Sequence, residues 1–424
     1  MKLSINNGRV IDPKSGIDAI MDVCVAAGKI VAIGAAPNGF QANREINANG
    51  LVVCPGLVDL SARLREPGFE YKATLESEME AAVAGGITSL ACSPDTDPPL
   101  DEPGLVEMLK HRARSLNQAH VYPIGALTQG LKGERLTEMA ELRDAGCVAF
   151  GQSEIPLTSI RVMMHAMQYA STFGFGVWLR PQDASLANGG VAHDGEVATR
   201  LGLPAISVCA ETVALSNIIL MARETGARVH LCRISSAEGV AMVRAARQQG
   251  LPITCDVAVN HMHLTEMDIG FFDSNCHLIP PLRGLSDRNA LRTALLDGTI
   301  DAICSDHTPV DEDAKLLPFG EAEAGATGLE LLLPLTLKWA AEMKIPLTTA
   351  LAKVTAEPAR ILGVDAGYLS PGAAADLCIF DPDQYWKVEA AALKSQGKNT
   401  PFLGMELQGR VKYTLVNGHI VHQG

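Results

Sequence analysis

Apolar and polar positions alternate along residues 2–12 (KLSINNGRVID) and again along 22–34 (DVCVAAGKIVAIG), each run broken by a short polar turn. Side chains of an extended chain point alternately to two faces, so this pattern predicts a half-buried antiparallel sheet. The last fifty residues return to it, in AADLCIFDP (374–382), ELQGRVKYTLVNG (406–418) and HIV (419–421). Two β-rich ends around a different middle predict one composite β-sandwich domain built from 1–52 and 366–424. Between them, short apolar runs such as ITSLACS (87–93), GVWLR (176–180) and DAICSD (301–306) alternate with amphipathic stretches such as ATLESEMEAAVAGG (73–86) and SAEGVAMVRAARQQG (236–250). The helical stretches stop near glycine, a residue that ends helices without steric cost. Eight strand–helix units predict a parallel (β/α)8 barrel over 53–365, with function at the C-terminal ends of its strands.

Composition narrows the function. Apolar residues make up 47% of the chain and charged residues 20%, enough for a large core. A formal net charge of −13 disfavours nucleic acid and anionic membrane as partners and favours small molecules or other proteins. The ten cysteines are scattered without a C-x-x-C pair, which fits buried thiols in a reducing compartment. The start of the chain shows no secretory apolar region, and the longest apolar run, 329–341, contains Pro334 and Lys338. A cytoplasmic protein is expected.

The stretch CPGLVDLSARLREPG (54–68) resembles the first barrel strand of dihydroorotases and related cyclic amidohydrolases, which ends Asp-x-His-x-His-x-Arg. Further stretches agree with that family in order and spacing: 91–103, 189–211, 226–240, 280–309 and 328–335, with both chain ends. The resemblance implies a TIM-like barrel of the metal-dependent hydrolase type, in which metal-bound hydroxide attacks a carbonyl. Such metals need lone pairs from imidazole or carboxylate ligands.

At the family's ligand positions this chain has Ser61, Arg63, Gln152 (or Ser153), Arg180 and Arg233; Asp306 alone is retained. Serine is a poor zinc ligand, and a guanidinium has no lone pair and a permanent positive charge. No metal, no other cofactor and no catalytic residue is therefore expected, which reads as a non-enzyme. Arg65 stands where the family grips the substrate carboxylate, with Thr96 nearby, whereas Asp95, Ile279 and Val310 replace other family residues. His261, His263 and His307 could instead form a relocated metal site, or serve packing and hydrogen bonding. Arg63, Arg180 and Arg233 are expected to converge on Asp306, their charge replacing that of the metals. The segment 311–328 corresponds to the loop that covers the family's site.

In some bacteria, family members without catalytic residues assemble with aspartate transcarbamoylase, and this sequence resembles them. The resemblance implies a structural role beside the catalytic chain of that enzyme, in a large hetero-oligomer of which a dodecamer is one form. The alternatives are an active cyclic amidohydrolase (dihydroorotase, hydantoinase or allantoinase type) with an unusual metal site, and a small-anion sensor using the arginines.

Overall fold

The computed structural model describes residues 2–424. Eight parallel strands form the barrel: β1 (Leu57–Ala62), β2 (Ile87–Cys92), β3 (His120–Ala126), β4 (Ala149–Gly151), β5 (Gly176–Leu179), β6 (Arg228–Leu231), β7 (Ile253–Ala258) and β8 (Ala302–Cys304), hydrogen-bonded in chain order. Their residues are nearly all buried, as strands covered on both faces must be. The ring closes just beyond the strand ends, where the His307 amide donates to the Ser61 carbonyl at 3.0 Å and the Arg63 amide to the His307 carbonyl at 2.9 Å.

Helices between the strands carry the start and stop chemistry of their sequence. Thr74 accepts from the Ser77 amide at the start of helix Leu75–Ala84, and Ser236 from the Gly239 amide at the start of Ala237–Gln248. Helix Val208–Thr225 ends on Gly226 at φ 68°, a left-handed conformation that glycine adopts at the least cost. The barrel interior holds Val58, Leu60, Ile124, Trp178 and Cys304, while a larger apolar layer lies between strands and helices.

Both chain ends join a second sheet of eight strands, in which Val52–Pro55 pairs with Lys2–Asp12 on one side and Leu377–Lys387 on the other. The β domain thus takes strands from both termini, and it has its own core around Leu3, Ile5, Val53 and Leu377. From it a segment between Leu377–Lys387 and Glu406–Val416 reaches over the barrel end. There Asn399 donates to the carbonyls of Thr308 and Gly325 and accepts from the Val310 amide, each at 3.0 Å. No helix among the described residues is long and apolar enough to cross a membrane.

Candidate functional site

The C-terminal ends of β1, β4, β5, β6 and β8 bring their charged residues to one place. A register shift between Asp59 and Ala62 disturbs the ladder at the end of β1, and bulges of this kind re-aim side chains. Leu60, Ser61 and Arg63 all border a void of about 40 Å³ inside the mouth, with Arg180 and Arg233 opposite. Arg65, Ser153, Arg233 and Asp306 lie at φ 62°, 53°, 58° and 50°. Each such conformation costs a non-glycine residue on the order of 1 kcal/mol, and such costs cluster where a site over-determines the backbone.

Glu154 is the centre of the cluster. Its carboxylate lies 2.6 Å from Arg233 Nη1 and 2.5 Å from Arg180 Nε, and it also pairs with Arg63 Nη2. Arg180 Nη2 donates to the Glu154 carbonyl at 2.9 Å. Asp306 Oδ1 accepts from Arg233 Nη1 at 2.7 Å, with the Ser61 hydroxyl at 3.4 Å and Arg63 at 3.7 Å. Asp95 accepts from Arg63 Nε at 2.8 Å, and Arg63 Nη1 donates to Thr308 Oγ1 at 2.7 Å. Three guanidiniums thus face three carboxylates.

The environment of each group follows from this balance. Burial alone would raise the Glu154 carboxyl, yet Arg180, Arg233 and Arg63 outweigh it and hold it at about 2. Asp95 is likewise held well below the carboxylate range, the charge of Arg63 overcoming its burial. Asp306 lies above its ordinary value because burial outweighs Arg233 and Arg63. Arg63 and Arg233 are raised by their anions against the cost of burial, whereas burial lowers Arg180 in spite of Glu154. Glu154 keeps 28% of its side chain exposed while Arg233 keeps 4%, so water screens the outer side of the cluster only.

Glu154 is the residue that sequence reasoning missed. Gln152, expected at a replaced ligand position, lies outside the cluster: its amide donates to Leu131 O and Thr128 Oγ1, each at 2.8 Å. After β4 the chain turns at Ser153, which carries Glu154 into the mouth. Counting charges could have found it, because three arginines need more than Asp306 and Asp95 as counter-ions.

Other singled-out residues are committed elsewhere. Arg65 Nε donates to the Pro309 carbonyl at 2.8 Å, and its Nη2 lies 3.9 Å from Glu323. Thr96 bonds the Pro98 carbonyl, Val310 is buried, and Ile279 offers only its carbonyl, 3.5 Å from Arg233. His261 Nε2 faces the Pro280 and Pro281 carbonyls, and His263 Nε2 faces Leu335 O; burial lowers the two to about 4 and about 3. Both imidazoles are thus neutral, with their Nε2 positions used as donors. His307 pairs with Glu78 at 2.5 Å through Nε2 and accepts the Gly328 amide at Nδ1.

The residues present do not fit a pair of metal ions. Among the described residues no three His, Cys, Asp or Glu side chains are grouped to hold one. The carboxylates at the strand ends spend their lone pairs on guanidiniums, which themselves have none to give. A larger cavity, about 310 Å³, adjoins Arg180 on the outer side and is lined also by Ser153, Ile155, Met163 and Leu179.

A closed parallel barrel with charged residues gathered at its strand ends, and a β domain from both termini, defines an amidohydrolase-type protein. The comparisons agree. A model described as "Dihydro-orotase-like" matches residues 50–239, and one described as "Amidohydrolase family" matches 177–422. The chain is 48% identical over 422 residues to a "Dihydroorotase-like protein" of Pseudomonas putida, covering 100% of this chain and 99% of the relative. It is 41% identical over 426 residues to a "Dihydroorotase" of Geobacter sp. (strain M21), covering all of both chains. The solved L-hydantoinase (dihydropyrimidinase) of Arthrobacter aurescens superposes with a TM-score of 0.89 at 25% identity, over 99% of this chain and 96% of that one. The chain belongs to the dihydroorotase-like amidohydrolase family. These relatives correct the expectation of a non-enzyme: full-length likeness to a protein named dihydroorotase, and a hydantoinase fold neighbour, place the chain in an enzyme family.

Proposed function

We propose that the chain is an amidohydrolase acting on a cyclic amide of the dihydroorotate or hydantoin type, with guanidinium groups where its relatives' class uses metal charge. The observation that carries this is Asp306, kept at the end of β8, buried, raised above its ordinary value, and set against Arg233. A carboxylate so placed can take the proton of an attacking water. The water oxygen bonds to the amide carbon, and the carbonyl oxygen gathers charge that Arg63, Arg180 or Arg233 stabilises. The C–N bond then breaks, and the proton passes from Asp306 to the leaving nitrogen.

The void of about 40 Å³ is too small for a ring. The substrate would therefore enter from the 310 Å³ cavity beside Arg180 and would have to displace Glu154 from its arginines to reach Asp306, which lines neither space. Ring opening of dihydroorotate and of hydantoin, followed with and without chelator, tests this. The expected result is turnover indifferent to chelator and reduced about a hundredfold or more by Asp306→Asn. No turnover on either ring, with or without added zinc, overturns the reading.

A second reading is assembly with the catalytic chain of aspartate transcarbamoylase in pyrimidine biosynthesis, as part of a large hetero-oligomer. What favours it is that the mouth cluster satisfies its own charges with no ligand, and that the 48% identical relative carries the name dihydroorotase-like rather than dihydroorotase. Sedimentation of the two purified chains, alone and mixed, tests it. A faster-moving joint species is expected, and independent sedimentation at micromolar concentrations rules the assembly out.

A further inference from the structure

Two segments at the rim of the barrel mouth carry apolar side chains into solvent. Between β7 and β8 the chain turns through Glu266–Ile269 and Ser274–Cys276, leaving Phe271 99%, Met267 57% and Phe272 45% exposed. After β8 the short helix Glu312–Lys315 is followed by Leu316, 78% exposed, and Leu317, 47% exposed. The segments are tied to each other: Ser274 Oγ donates to the Lys315 carbonyl at 2.5 Å, and Lys315 Nζ donates to the Ser274 carbonyl at 2.9 Å. Phe271 and Leu316 therefore lie on adjoining segments of the rim. Phe272 stands at φ 63°, a conformation that costs a bulky residue free energy, so the turn is held in that form by its surroundings. Isolated exposed apolar residues are ordinary, but five on two segments bonded to each other are a concentration of the kind that marks an interface.

The rim of the patch has one sign. Asp268, Asp273, Glu312, Asp313 and Glu321 are exposed around it, and the single cation in 266–276 and 311–323, Lys315, is buried with its ammonium turned to Ser274. A second copy of this chain would bring the same acidic rim and be repelled. We propose that this face docks a different protein, one that presents an apolar contact ringed by lysine and arginine. The acidic rim would set orientation and encounter rate, and the aromatic and leucine side chains would supply most of the affinity. The docked segment continues to Glu323, which pairs with Lys72 beside Arg65, and to Ala326, which bridges His307 at the barrel closure. A partner on this face would therefore bear on the segment that leads to the barrel closure.

This inference rests on the assembly reading above, so the probe is the purified catalytic chain of aspartate transcarbamoylase, mixed with the full chain in sedimentation velocity at low and high salt. Binding by the wild type that weakens at least about tenfold in a Phe271→Asp, Leu316→Asp double variant is expected, a change of about 1.4 kcal/mol. A Glu312→Lys, Glu321→Lys variant should bind more weakly at low salt and lose much of the salt dependence. Both variants alter exposed positions, and an unchanged melting temperature confirms that they fold. Wild-type binding left intact by the Phe271 and Leu316 changes overturns this face while the assembly reading stands. No wild-type binding overturns both. Self-association of the wild type that the double variant abolishes assigns the face to a second copy and overturns the proposal.

Discussion

At the scale of single residues, three guanidiniums and three carboxylates hold the mouth in one arrangement. Arg233 bridges Glu154 and Asp306 at 2.6 and 2.7 Å, and its backbone amide donates to Asp256. Replacing it by alanine leaves Asp306 buried with one distant arginine, so Arg233→Ala should lower unfolding free energy by roughly 3–5 kcal/mol, the cost of breaking a buried pair. Denaturant melts measure this, and an unchanged midpoint would show that the pair contributes nothing. Asp59 offers a test by pH. It is fully buried, accepts the Ser305 amide and hydroxyl, and is raised to about 6 by burial, which those bonds only partly oppose. A folded-state pKa above the ordinary value means that the fold favours the neutral acid. That stabilisation is complete below about pH 4 and is lost as pH rises through 6. Asp59→Asn should thus gain stability relative to wild type between pH 4 and pH 8, by at most about 3 kcal/mol. A pH-independent difference between the two would mean that Asp59 does not titrate in this range.

At the scale of elements, one carboxylate stitches three parts together. Glu78, in helix Leu75–Ala84, accepts from His307 at the barrel closure, from Ser395 Oγ at 2.7 Å and from the Gln396 amide at 3.0 Å in the segment of the β domain that roofs the mouth. Glu78→Ala should therefore speed hydrogen exchange at the amides of Arg63, His307 and Gln396 more than at the strand centres, because local opening draws on the few bonds it breaks. Uniformly faster exchange across the barrel would assign Glu78 to global stability instead. This stitching was not legible in the sequence, whereas the elements were. Alternation and glycine stops are local properties, and they mark the strand–helix units and the two β-rich ends. Which of Gln152, Ser153 and Glu154 enters the mouth depends on the left-handed turn at Ser153, a tertiary outcome that no periodicity records. Arg63, Arg180 and Arg233 stood out as residue types, and their need for a further counter-ion was the one sequence signal that pointed toward Glu154.

At the scale of the whole molecule, the question is what holds the barrel end in shape. In a metal-bound barrel the ion is a ligand of the folded state alone, and it stabilises by mass action, about 2.7 kcal/mol at a hundredfold excess over Kd. Here the same region is held by ion pairs internal to the chain, with the net charge of the three arginines and three carboxylates near zero. The chain's formal charge of −13 would attract divalent cations to its surface without giving them a ligand set at the mouth. Melting curves with chelator, without additions and with equimolar zinc should therefore coincide within about 1 °C, since at about 2.1 cal/mol/K per residue a tight metal site contributing about 3–4 kcal/mol would move the midpoint by about 3–5 °C. A chelator-induced fall of several degrees, with stoichiometric zinc in the untreated protein, would mean that the carboxylates leave their arginines for an ion. High salt should act in the opposite sense to such a metal effect. It screens the exposed flank of Glu154 but not the buried Arg233–Asp306 pair, so the midpoint should fall modestly and by the same amount with and without chelator.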